Sequence, residues 1–329
     1  AEQLEEEEKP VAKRNLVEQA EEEEEIFTAS PKEPRFKQLS LAYGFVLGQQ
    51  FSLDMIEEKF PDLAIPIRES WFAFNSTALG ESVSGLESEL SKELGEEWLR
   101  YKAGLSVELN TVIKGQQITQ QQALEFLDQV KKRSKGEMPS SIKSTLLSAH
   151  PRFSKNPGLE ISAGWKQTFR SKGHPKSKGA DVSISLPASF SLSEGKRPNV
   201  IKLFQSSVGH GPLIGMIMIQ EDPNLVIFNK NNLRGLVPIN SQFKEVKEIV
   251  MDGNPAGLVI FDTKSERLGL KITTRSFHFL TVIKNKQVSL LFMIAEMPDS
   301  DDTLDDLQNQ LMPTCLIIAN SFIWNGQWK

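Results

Sequence analysis

Residues 277–295 read Phe277-His-Phe-Leu-Thr-Val-Ile283-Lys-Asn-Lys286-Gln-Val288-Ser-Leu-Leu-Phe-Met-Ile-Ala295. Two runs rich in β-branched and aromatic residues flank a short polar break at Lys284-Asn-Lys286. That is the pattern of two antiparallel strands joined by a tight turn. The second run is apolar at almost every position from 288 to 294, so both of its faces need cover and it belongs in the middle of a sheet.

The same texture extends upstream. Runs at 268–273, 258–262, 245–251, 215–220 and 200–205 read as further strands, with Asp252-Gly-Asn-Pro255 as a second turn. Residues 216–219 are again apolar on both faces. Asp181-Val-Ser-Ile-Ser-Leu186 alternates strictly and stops at Pro187, as a half-exposed strand does. Downstream, Leu304, Leu307, Leu311, Cys315, Ile318 and Phe322 recur at helical spacing. Pro313 interrupts that stripe, which predicts a kinked helix or two abutting helices lying on the sheet.

Before His150-Pro151 the period is helical. Ser52 is the predicted N-cap of a helix over 53–60, stopped by Pro61. Val83, Leu86, Leu90, Leu94 and Trp98 draw one apolar stripe on a long helix. Thr119-Gln-Gln-Gln122 is a capping-box pattern, Lys131-Lys132-Arg133 suit the negative end of the helix it opens, and Gly136 ends it. A short helix follows over 142–149. The predicted class is α+β: an acidic flexible tail at 1–35, a helical domain at 36–150, and an antiparallel sheet flanked by helices at 151–329.

The 329 residues carry 38 Lys+Arg and 43 Asp+Glu, a net charge of −5. The tail holds a net −7 of this, with acidic blocks at 5–8 and 21–25, so the remainder is close to neutral. That balance argues against bulk nucleic-acid binding. No apolar run approaches the roughly 18–20 residues of a membrane-spanning helix. Ala1 in place of an initiating Met is compatible with loss of that Met, cleavage of a leader, or trimming.

Tests for chemistry come out negative. Cys315 is the one cysteine, so no intrachain disulfide forms, and its apolar setting predicts a buried, inert thiol. The four His at 150, 174, 210 and 278 have no metal-ligand spacing and no triad. Gly209-His-Gly211-Pro-Leu-Ile-Gly215 misses the dinucleotide fingerprint by one residue and precedes a strand, so it reads as a glycine-rich loop. The acids of 299–306 lack the glycine and distal Glu of a calcium loop and read as helix capping. Asn75-Ser-Thr77 is a formal glycosylation sequon of a kind frequent by chance. No catalytic residue, metal or cofactor is expected.

The unusual segment is Lys172-Gly-His174-Pro-Lys176-Ser-Lys178-Gly179, four positive or potentially positive side chains in eight residues. Such a loop presents donors to a phosphate, a carboxylate or an acidic protein surface. It carries no interleaved aromatics, so single-stranded nucleic acid is not expected. Glu194-Gly-Lys-Arg197-Pro-Asn199 is a second charged turn. Candidate binding residues are Lys172, His174, Lys176, Lys178, Glu194, Arg197 and His210, expected near one rim of the sheet.

The stretches 173–187 and 193–200, the ending Ile318-Ala-Asn-Ser-Phe322 and the turn at Asp252-Gly-Asn-Pro-Ala256 resemble PsbP-like domains, over about residues 155–329. Phe190 stands where a Trp is usual in that fold. The whole chain resembles uncharacterised bacterial proteins that place a helical segment before such a domain. The best-known members of the fold are an extrinsic subunit of photosystem II and a Ran-binding import factor, both binding proteins without an established catalytic centre. None of their functional residues carries over to a position of this chain. The resemblance implies a non-enzymatic interaction or scaffold protein whose partner is another protein, located in the periplasm or secreted, with the cytoplasm as the alternative. The competing expectation is a small-ligand binder or weak hydrolase whose pocket lies between the two domains, lined by Trp71, Trp98 and Trp165. Oligomeric state is open at this level.

Overall fold

The computed structural model describes residues 34–221, 227–267, 270–296 and 302–326. The acidic tail up to residue 33, and Asp299 and Asp301, lie outside the described residues. The architecture is α+β: helices first, then antiparallel sheet with helix packed on it.

Six helices open the described chain: α1 (Arg35–Lys59), α2 (Ala64–Asn75), α3 (Ala78–Leu94), α4 (Trp98–Lys114), α5 (Gln120–Ser134) and α6 (Ser140–Ala149). Their apolar stripes meet in one cluster built around Leu39, Tyr43, Ile56, Phe74, Leu86, Leu90 and Leu146. α1 is apolar on several faces and buries residues at 39, 42, 43, 46, 53 and 56, which makes it the central helix. Ser52 is not an N-cap. It sits inside α1 with its hydroxyl donating to the Gly48 carbonyl (2.7 Å), because the helix begins eighteen residues earlier than its polar punctuation suggests. The stripe from Val83 to Trp98 is also split. Gly95 at φ 53° closes α3, and Trp98 opens α4. Thr119 forms the expected capping box with Gln122.

A one-turn helix α7 (Gly158–Ser162) leads into the strands. Strands β1 (Lys166–Arg170) and β2 (Val182–Pro187) pair with the final β10 (Ile323–Trp324) in a small sheet ordered β1-β2-β10. The main sheet has seven antiparallel strands: β3 (Ser191–Glu194), β4 (Val200–Gln205), β5 (Leu213–Glu221), β6 (Ser241–Met251), β7 (Asn254–Arg267), β8 (Leu270–Ile283) and β9 (Lys286–Ala295). Their order is β3-β4-β5-β9-β8-β7-β6. The doubly apolar runs therefore occupy the two central neighbours, β5 and β9. From residue 270 onward the expected strands at 268–273 and 277–283 are one continuous strand, since pairing with β7 runs unbroken from Ala256–Thr281 to Arg267–Leu270; residues 268 and 269 lie outside the described residues. Asp252 and Gly253 (φ 48° and 76°) and Lys284 and Asn285 (φ 49° and 58°) form two-residue turns in the left-handed conformation that matches strand twist.

Helix α8 (Lys230–Arg234) covers one edge of the sheet through Leu233, above Val259, Phe261 and Leu280. Helix α9 (Leu304–Asn320) lies on the other face, with Leu307, Leu311, Cys315 and Ile318 packed against Phe277, Phe279, Leu290 and Phe292. It runs continuously through Pro313 as a single helix. Thr303 and Asp306 form its capping box, so the acids at its start act as expected.

Helices and sheet meet along a polar seam. The Ser144 hydroxyl donates to the Ala188 carbonyl (2.9 Å), and the Gly158 amide donates to Thr314 Oγ1 (2.9 Å). A Cβ at Gly158 would lie 2.8 Å from Ile317 Cδ1 and 3.0 Å from Thr314 Cα, so a larger residue here would make α9 or its side chains give way.

Candidate functional site

The basic loop joins β1 to β2. Both of its ends are tied at Ser171, whose hydroxyl donates to the Ala180 carbonyl (2.7 Å) and accepts from the Val182 amide (2.9 Å). Inside, His174 Nδ1 accepts from the Lys176 amide (3.2 Å) and caps the single 3₁₀ turn Pro175–Ser177. With Nδ1 an acceptor, Nε2 carries the ring proton and donates to Glu194 Oε2 (2.9 Å). Lys178 (φ 50°) and Gly179 (φ 76°) then turn the chain back through two left-handed residues.

Two lysine ammonium groups fasten this loop to the sheet directly, and a third does so through Glu194. Lys176 Nζ donates to the carbonyls of Gly195 and Val200 (3.3 Å for the latter). Lys202, on β4, pairs with the other oxygen of Glu194. Lys286, at the start of β9, donates to the Lys178 carbonyl and pairs with Glu221 (3.1 Å). The hydrogen bond from Lys202, followed by that from His174, holds the Glu194 carboxyl below the usual range.

The structure thus brings together four of the expected residues, His174, Lys176, Lys178 and Glu194, at the end of the main sheet where β3 turns into β4. Lys172 stands exposed beside them, close enough to help lower the Asp181 carboxyl after the bidentate grip of Arg170 (2.7 Å to each oxygen) and a bond from Asn325. Arg197 is half-buried in the same β3–β4 turn. His210 is not on this rim. It follows a left-handed turn at Ser207 and Val208, past the far end of β4, and six extended residues separate the two ends by about 20 Å. Lys202 and Lys286 belong to the cluster but were not foreseen. Lys202 carried a faint signal as the one charge in the apolar run Val200-Ile-Lys-Leu-Phe204. Lys286 read only as turn punctuation.

Cys315 is fully buried, and burial pushes its thiol well above the ordinary range, which removes it as a nucleophile. Among the described residues no group of three His, Cys, Asp or Glu side chains is placed to hold a metal ion. No described helix is long and apolar enough to cross a membrane.

The three tryptophans expected to line one pocket all pack, partly buried, against the helical core. Trp98 packs beside Tyr43 and Tyr101, with ring centroids at 5.6 and 6.2 Å. Trp165 lies against Gly136, and Trp71 sits half-buried on α2. A shallow depression of about 370 Å³ runs along α5, lined by residues of that helix alone such as Gln121, Leu124 and Asp128, and a single helix cannot enclose a ligand.

No family model and no curated protein matches the chain. Solved structures of partial similarity include two proteins of the same α+β kind. LpqN, involved in cell envelope biogenesis of Mycobacterium tuberculosis, is 11% identical with a TM-score of 0.30, over 49% of this chain and 92% of its own. PA94, a protein of unknown function from Pseudomonas aeruginosa, is 12% identical with a TM-score of 0.24, over 48% of this chain and 96% of its own.

Proposed function

We propose that this chain is a non-catalytic interaction protein, acting in the periplasm or outside the cell, whose sheet domain is PsbP-like and docks an acidic protein surface through the rim at 172–178 and 194–197. The observation that carries this reading is the bracing of the basic loop. Its side chains do not dangle: His174 and Lys176 are spent on positioning, Lys286 reaches in from β9 to hold the loop, and this leaves Lys172 exposed and Lys178 half-buried on a fixed frame. A loop already ordered in the free protein avoids the entropic cost of being ordered on binding. Lys172, Lys176, Lys178, Lys196, Arg197, Lys202 and Lys286 also outnumber the nearby carboxylates of Asp181, Glu194 and Glu221, so the rim keeps a positive field.

The experiment is a binding titration of the full chain with a fluorescent polyglutamate peptide at two salt concentrations. The expected result is salt-sensitive binding that weakens about tenfold or more in Lys172→Glu/Lys178→Glu. Lys176→Met serves as a second arm, since it loosens the loop without reversing charge at the rim. Binding that is indifferent to the double charge reversal would dispose of the rim as the docking surface.

A further inference from the structure

Residues 1–33 precede the described chain and carry 12 glutamates against four Lys+Arg, with unbroken glutamate blocks at 5–8 and 21–25. That is a net of −8 in a chain whose total is −5. We infer that this acidic arm occupies the basic rim of its own chain while no partner is bound, so that a partner must displace it. The inference rests on the reading of that rim as an acid-binding surface. Charge picks out the location. At the rim Lys172 and Lys196 are exposed and Lys178 is half-buried, on a loop already held in shape through His174, Lys176 and Lys286. The basic run Lys131-Lys132-Arg133 is the rival, and its charge is answered where it stands. Lys131 pairs with Glu69 (3.4 Å) and Lys132 with Asp128 (2.8 Å). The Arg133 guanidinium lies over the rings of Phe45 and Phe126, at 4.7 and 5.3 Å from their centroids.

Reach permits the contact. Arg35 donates to the Ser148 hydroxyl on α6 (3.1 Å), so the arm joins the helices close to the seam. From Ser148 a path runs back one turn of α6 to Ser144 and across to Ala188, whose amide donates to the Trp165 carbonyl (3.2 Å). It then follows β1 to Lys172. One arginine side chain, one helical turn, two hydrogen-bonded crossings and seven extended residues bound the separation at about 50 Å. The block at 5–8 precedes Pro34 by 26–29 residues, and an extended chain of that length spans up to roughly 90 Å. The block at 21–25 precedes it by 9–13 residues and spans up to roughly 45 Å. The first block therefore reaches with chain to spare. Because the arm is tethered, it competes at a high effective concentration and needs little intrinsic affinity.

The test is carbodiimide crosslinking of the full chain, which joins a carboxylate to an amine in contact with it, with the joined pairs located by mass spectrometry. Links within one molecule from glutamates of 5–8 or 21–25 to Lys172, Lys178 or Lys196 are expected, and they should fade at high salt. Links confined to pairs of molecules, links to Lys131 or Lys132 instead, or no links from the arm would overturn the inference. The second readout is the polyglutamate titration, repeated on a full chain in which the nine glutamates of the two blocks are replaced by Gln. Binding should tighten about fivefold or more once the arm is neutral, and Lys172→Glu/Lys178→Glu should abolish that gain. Equal affinities for the wild type and the neutral-arm chain would reject the arm as a competitor and leave the rim's docking role standing. Crosslinks to the rim without polyglutamate binding by either chain would uphold the arm's seat and reject the docking role.

Discussion

The carboxylate of Glu160 accepts two hydrogen bonds from Ser189, one from its backbone amide (2.9 Å) and one from its hydroxyl. Glu160 is fully buried on α7, and Ser189 lies in the β2–β3 turn, so this pair joins the helices to the sheet at their seam. Burial outweighs the hydrogen bonds and pushes the carboxyl up to about 7.

A carboxyl raised in the folded state holds a proton that the unfolded chain has already released. Its contribution to stability is complete below about 4.5 and is lost as pH rises toward 7. Each pKa unit corresponds to about 1.4 kcal/mol, so the loss is on the order of 3 kcal/mol. Urea denaturation of wild type and Glu160→Gln at several pH values should show the variant gaining on the wild type across this window. Parallel pH profiles would contradict the assignment.

Arg275, on β8, grips Asp262 of β7 through two hydrogen bonds of 2.7 and 3.0 Å, and its remaining arm reaches Gln308 (2.8 Å) and Asp305 on α9. Arg275 and Asp262 are both buried, so the group clasps α9 to the sheet. Arg275→Met should destabilise the fold by about 3–5 kcal/mol, because it strands a buried carboxylate with only Lys244 (3.2 Å) for compensation. Adding Asp262→Leu should recover a large part of that loss in chemical denaturation.

The Cys315 thiol is enclosed by the core between α9 and the sheet. A thiol reagent should therefore label the native chain only as fast as the core opens, and label the urea-unfolded chain at once. Rapid labelling under native conditions would mean that α9 is not seated as described.

Lys284 holds φ 49° in the β8–β9 turn, a conformation that costs most L-residues free energy and that Asn tolerates better. Its side chain is exposed. Lys284→Asn should raise stability by about 0.5 kcal/mol, measured as a shift of the denaturation midpoint without change of slope.

Much of this architecture is legible in the chain, for local reasons. Period-two runs and doubly apolar runs mark which segments are strands and which are central, and Asp252-Gly253 and Lys284-Asn285 mark the turns. Capping at Thr119 and Thr303 depends on residues three positions away, so both helix starts could be read directly. Where local signals misled, a longer-range requirement overrode them. Ser52 looks like a cap, but its neighbours bury α1 on both sides of it. The stripe to Trp98 fits one helix until Gly95 turns the chain.

The chain by itself determined the succession of helices followed by antiparallel strands, the central position of β5 and β9, and the charge carried by the 172–178 loop. Each follows from side-chain chemistry at short separations. Only the tertiary structure decided what that charge does, since Lys286 reaches the loop from 108 residues beyond its Lys178, and Lys202, 24 residues beyond it, holds the Glu194 carboxylate that accepts from His174. It also decided that His210 lies away from this rim, and that Glu160 meets Ser189. Contacts over such separations depend on how the sheet is ordered and twisted, which no local pattern encodes.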